Sequence, residues 1–329
     1  MNVTSVDINS ELFQRILTIN YGFSTSIGIV ANSSLIFLIL KCSPTSLKPY
    51  RPVLLTAALI DGFALFVSSV GQIQYRPVNN VNLILLKGPA KHLPAFGQWV
   101  VYSLLIVSIL LEVLVVLLEN IFRYRFLKTR SALPRTQLIF MIIFVVLLSS
   151  IQLPFYLSTY ENIDFDNQQL WPQDDPNTII FMMNTRKSTT LVVISAYRIF
   201  VTMIPFILSV IIAVMSVCVM RKEVSKMSKK TKELMSQFNN TLLTRMLFFG
   251  ITLIGPQVYV QVAIRNSWST DVSRFFFMIL SLWFPTTNSI LSIVFIRTYR
   301  ETILRVFYFR FPNFRSSFQT STTRIRTVS

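Results

Sequence analysis

Histidine, cysteine, glycine and acid are all scarce in this chain. One histidine, His92, and two cysteines, Cys42 and Cys218, stand among 329 residues. They cannot supply zinc-type spacing, so neither a metal nor a cofactor is expected, and a zinc hydrolase is excluded for want of ligands. Paired aspartyl or serine hydrolase motifs are missing too, so no catalytic residues are assigned and the chain does not read as an enzyme. Charged residues make up 14% and glycine numbers 8, well below the roughly one-quarter charge and the glycine content of soluble domains. The opening stretch MNVTSVDINSELFQRILTINYGF has no basic leader and no small-residue cleavage site. The first apolar run is therefore expected to be both address and anchor. No internal repeat or inverted pair of short broken helices is visible, which argues against a transporter.

What is abundant is oil. The chain is 52% hydrophobic with a mean hydropathy of +0.56, and seven apolar runs reach the ~20 residues needed to cross a bilayer. They cover about 18–41, 53–72, 95–119, 136–157, 191–220, 242–264 and 273–296. The expected fold is an all-α membrane protein, a seven-transmembrane helix bundle over 18–296. An outer N-terminus (1–17), a short amphipathic helix after span 7 (297–311) and a disordered inner tail (312–329) complete it. In that short helix Arg297, Arg300, Arg305 and Arg310 alternate with Ile303, Val306, Phe307 and Phe311, a pattern suited to anionic membrane lipids.

Charge sets the expected orientation. The net charge is +17, but the bases sit between apolar runs instead of on folded aromatic platforms, so no nucleic-acid partner is expected. With the N-terminus outside, the inward segments hold 21 of the 31 lysines and arginines, the outward ones 7, and 3 lie within spans. Cytoplasmic loops are enriched in such residues. The implied placement is a multi-pass plasma-membrane protein with its C-terminus in the cytoplasm. Asn2, in Asn2-Val3-Thr4, is a glycosylation acceptor on the outer side. Cys42 and Cys218, at inner span ends, are candidates for palmitoylation.

Polar residues inside spans are expensive and mark function by default. Asn32, Asp61, Glu112 and Asn288 fall at one depth, about 10–13 Å from the inner ends of spans 1, 2, 3 and 7 at 1.5 Å per residue. They form either a structural hydrogen-bond layer or an ion- or proton-sensitive switch. Asp61 or Glu112 is a candidate proton or cation acceptor, provided that no cationic side chain lies between them. Lower on span 3, Glu119 and Arg123 are four apart and share a helix face with Glu112. An acid paired with an arginine there can hold a bundle closed, while Arg125, Lys128 and Arg130 also suit a simple membrane-boundary cluster. On the outer side, Gln98, Trp99, Tyr102 and Arg198 make a candidate ligand cavity, with snorkelling to the interface as the plainer role of Arg198.

The stretches SPTSLKPYRPVLLTAALID (43–61), GPA (88–90), FRYR (122–125), LPFY (153–156) and FPTTNSILSIVFIRTYR (284–300) resemble, in order and spacing, the nematode serpentine chemoreceptors, most of all class delta (Srd). That resemblance implies a G-protein-coupled receptor binding an external small molecule and signalling to a heterotrimeric G protein, and it leaves room for a receptor dimer. It matches Asn32 and Asp61 to the polar positions of spans 1 and 2. Arg123 or Arg125 takes the coupling position after span 3, and Tyr299 and Arg300 the pair after span 7. Ala90 replaces a family cysteine, which removes an outer disulfide, and Ser289 replaces the proline that ordinarily kinks span 7. The competing reading is a ligand-gated ion channel of the seven-span odorant-receptor type, which places its N-terminus inside. An opsin is disfavoured because span 7 has no lysine for a Schiff base.

Overall fold

The computed structural model describes residues 11–43, 47–78, 81–129, 131, 133–151, 153, 161–162, 180–184, 189–223, 229–256, 258–259, 262 and 271–310. Its helices are α1 (Glu11–Lys41), α2 (Arg51–Gly71), α3 (Ala95–Thr129), α4 (Arg135–Ser150), α5 (Thr189–Glu223), α6 (Lys229–Phe249), α7 (Asp271–Ser281), α8 (Trp283–Phe295) and α9 (Arg297–Arg310). Stretches of α1, α2, α3 and α5 and the α7–α8 pair are long and apolar enough to span a bilayer. α4 is a shorter apolar helix, and α6 begins in polar sequence before running into a π-helical turn, Gly250–Ile254. Asn2 and the tail 312–329 lie outside the described residues.

α3 is the central rod, packed on α2, α4 and α5, while α8 sits against α1, α2 and α6. Lipid-facing positions stay apolar, as Phe37, Phe66, Phe140 and Leu247 show by their exposure, and the polar side chains turn inward. This is the inverse of a soluble helix, and it follows from a solvent that is itself hydrocarbon.

α1 packs closely on its neighbours because of Gly28, where a Cβ would collide with Thr286 Oγ1 and come within 2.7 Å of Leu65. Small residues let membrane helices approach in this way. The approach lets Ser24 Oγ donate to Leu282 O at 2.7 Å and Thr286 Oγ1 donate to Ser24 O at 3.0 Å. Asn20 adds a bond to Ile279 O at 3.3 Å and accepts one from Trp283 Nε1 at 2.8 Å. These bonds converge on the break between α7 and α8. Pro285, in the first turn of α8, has no N–H to return to Ser281, so the helix opens there and α1 satisfies neighbouring carbonyls. Pro285 thus stands four residues before Ser289, where the resemblance places a proline.

Sheet structure is an addition to the helical expectation. Strands β1 (Ile73–Val78), β2 (Val81–Leu86), β3 (Glu161–Asn162) and β4 (Ile180–Asn184) form an antiparallel sheet in the order β1-β2-β4-β3 at the end of the bundle where α2 finishes and α3 begins. Ile73 pairs with Leu86, and Leu83 with Met182. Pro77 is tolerated because β1 is an edge strand. A 3-10 turn, Pro89–His92, joins the hairpin to α3, and Ala90 is wholly buried in it beside Tyr102, Ile73 and Leu86.

Candidate functional site

The centre of the bundle is built on a residue to which the sequence reading gave no role. Arg245 of α6, 3% exposed, donates from one terminal nitrogen to both oxygens of Glu119 on α3 at 2.9 and 2.7 Å. Its Nε donates to Asn288 Oδ1 on α8 at 3.0 Å, and its second terminal nitrogen lies 3.9 Å from Asp61 on α2. Asn288 Nδ2 then donates to Asp61 Oδ1 at 3.2 Å. Four helices are joined through one guanidinium, whose planar fork suits several acceptors at once. In a low-dielectric interior such a pair holds together only with every partner in place; losing one strands the other's charge.

A second tie lies nearer the α9 end. Arg123 on α3, 1% exposed, donates to Asn239 Oδ1 on α6, and its Nε and other terminal nitrogen have no hydrogen-bond partner among the described residues. A cavity of about 20 Å³, room for one water, lies among Glu119, Arg123 and Arg245 and is closed by Tyr50, Phe122 and Phe238. Tyr50 stacks on Phe238 at 4.7 Å and meets Phe122 edge-on at 5.3 Å.

The anticipated residues are only partly brought together. Asp61 and Asn288 meet as described. Among the described residues, neither amide atom of the buried Asn32 has a hydrogen-bond partner, nor does Oε1 of the buried Glu112. Glu119 reaches across to α6 instead of along its own helix to Arg123, which corrects the anticipated pairing. The cation that was to be absent near Asp61 is Arg245. Its signal was a lone base inside the sixth apolar run, with Asp61 and Glu112 as intramembrane acids to which no base had been allotted.

At the hairpin end, Gln98 Nε2 donates to Lys91 O and Leu93 O at 3.0 and 2.9 Å, bracing the turn before α3. Tyr102 is buried in the cluster under the hairpin, and Trp99 packs against the same cluster. None of the three lines the cavity beside Arg123 or the one beside Glu112, because the start of α3 is used to hold the sheet. The side chain of Arg198 lies outside the described residues.

At the other end, Arg125 donates to Gln137 at 2.7 Å, the Tyr299 and Ser43 hydroxyls bond at 2.8 Å, and Arg300 donates to Val294 O at 2.9 Å. Arg297 joins Glu301 at 2.6 Å and Glu233 of α6 at 3.0 Å. The hydrogen bond from Arg297 holds the Glu301 carboxyl below its usual range. α9 is thereby tied to the beginning of α6.

No curated protein sequence matches the chain. Among solved structures, the crystal structure of squid rhodopsin superposes with a TM-score of 0.66, covering 89% of this chain and 85% of that one at 13% identity. Identity that low speaks for the fold alone, and the fold is the seven-transmembrane bundle. The model of a family described as serpentine type 7TM GPCR chemoreceptor Srd matches residues 17–305, from the first helix into the ninth. With its bundle and its sequence agreeing over that length, the chain belongs to the Srd family of serpentine seven-transmembrane chemoreceptors.

Proposed function

We propose that the protein is a plasma-membrane chemosensory receptor with its N-terminus outside, which binds a small external molecule at the hairpin end and activates a heterotrimeric G protein at the α9 end. Ligand reaches the bundle from the side where α3 begins with Gln98, Trp99 and Tyr102 and where α5 carries Arg198. The coupling surface comprises the ends of α3, α6 and α9, with Glu119, Arg123, Arg125, Tyr299 and Arg300 as its working residues. α9 lies along the inner leaflet, where its basic composition suits anionic lipid.

The observation that carries this reading is the double tie between α3 and α6. Arg245–Glu119 and Arg123–Asn239 are both buried and both cross the same helix pair. Moving α6 away from α3 breaks them together and exposes Arg123 to a partner. A ligand that binds the separated bundle better than the closed one shifts the population toward it, by no more than its differential affinity.

The test is guanine-nucleotide exchange on added heterotrimeric G proteins in membranes carrying the receptor. Asn239→Leu, which leaves Arg123 without its acceptor, is expected to raise ligand-independent exchange several-fold, while Arg123→Glu abolishes it. Exchange unaltered by both substitutions would remove the support for coupling at this end.

A further inference from the structure

A second cavity, of about 40 Å³, lies between α1, α2, α3 and α7 under the hairpin, with Glu112 among its walls. Glu112 is 4% exposed and its Oε1 has no hydrogen-bond partner among the described residues. An isolated carboxylate in a hydrocarbon setting is stable only with a proton or a cation on it. Three of the four hydroxyls around it, all but that of Ser68, donate to backbone carbonyls. Ser108, one helical turn above Glu112, donates to Leu105 O at 2.8 Å; Ser281 donates to Met278 O at 3.4 Å; Tyr21 donates to Ile73 O at 2.8 Å. A hydroxyl whose proton is committed to its own backbone offers lone pairs, so Ser108 and Ser281 add acceptors to the acid. Among the described residues of its wall the acceptors face no cationic donor, and the one hydroxyl left to donate is that of Ser68. Elsewhere its walls are hydrocarbon, from Leu105, Ile109, Phe277 and Met278.

We infer that this cavity is a binding site for the ammonium group of a small primary amine, with Glu112 as counter-ion and Ser108 and Ser281 as further acceptors. An alkylammonium has three N–H donors at one end and carbon at the other, which matches one acid, two hydroxyls and apolar walls. An alkali ion needs a nearly complete shell of oxygens, and the walls lack them. The volume admits a nitrogen with about one carbon, a water needing about 10–15 Å³ on the same measure. Arg245 acts on Glu112 only through space, because its hydrogen bonds go to Glu119 and Asn288, two turns further along the bundle, and leave Glu112 Oε1 open to a ligand. The inference names a ligand class for the proposed receptor, and rests on that reading for its meaning in signalling but not for binding.

Binding is therefore measured without any G protein, by thermal unfolding of the full-length chain in lipid discs with methylammonium chloride, sodium chloride or N-methylglucamine chloride at equal ionic strength. Methylammonium is expected to raise the melting temperature by a few degrees in a saturable way, and the bulky amine to leave it unchanged. Glu112→Gln should raise the half-saturating concentration by about ten- to a hundredfold, the loss expected for a charged hydrogen-bond partner, and Ser108→Ala by a few-fold. Should Glu112→Gln fail to fold, the wild-type chain still decides the matter: methylammonium must slow modification of Glu112 by a hydrophobic carbodiimide, read by peptide mass spectrometry. An equal gain from sodium, no gain from methylammonium, a gain kept in Glu112→Gln, or unprotected modification each overturns the assignment. Binding without any later G-protein response would leave this site standing and count against the receptor reading instead.

Discussion

Arg245 shows how much a single side chain can organise inside a bilayer. Its removal leaves Glu119 and Asp61 without a cation, and breaking a buried pair from one side destabilises by about 3–5 kcal/mol. Arg245→Gln is accordingly expected to lower unfolding stability in lipid discs by an amount in that range. Combining it with Glu119→Gln should recover part of the loss, since a neutral pair strands no charge; the double-mutant cycle should give a coupling of about 1–3 kcal/mol. Additive effects would mean that the two do not act as a pair. At this scale the sequence was legible in its acids and opaque in its partners. The depth of Asp61, Glu112 and Asn288 follows from counting along helices, but which acid meets which base depends on the rotation of α3 against α6, and no local pattern encodes that. Glu119 illustrates the failure: Arg123, four residues on, was the natural partner by helical spacing, yet both side chains point to α6 at different heights.

Among the elements, the paired helices α7 and α8 are held by α1 through Gly28, Ser24 and Asn20. Gly28→Val is expected to force α1 away from Thr286 and Leu65 and to destabilise by about 1–3 kcal/mol through overpacking, measured by thermal unfolding, whereas the same change at Gly22, where a Cβ meets nothing within 4 Å, should be nearly neutral. Ser24→Ala should cost about 1 kcal/mol by freeing Leu282 O. Long helices were readable because a bilayer demands long apolar runs, and the helix after span 7 was readable from its alternating arginines. The sheet was not. Its strands are six residues or fewer, and β2 pairs with a β4 about a hundred residues away, a contact that local periodicity carries no trace of.

For the whole molecule, orientation and covalent economy matter most. An epitope at the N-terminus should be labelled on intact cells and one at the C-terminus only after permeabilisation; the reverse pattern would turn the basic clusters outward and favour a channel. The end of the bundle under the sheet is held without sulfur, since Ala90 occupies the buried turn and Cys42 and Cys218 are both free thiols. The melting temperature is therefore expected to be the same with and without a strong reductant, where a receptor relying on an outer disulfide would lose several degrees.

The pairing of β2 with β4 has a further consequence. A cover fastened by backbone hydrogen bonds needs no oxidising compartment to mature and no isomerase to correct it. This chain should reach its native bundle when translated in a reducing cell-free mixture supplied with lipid discs.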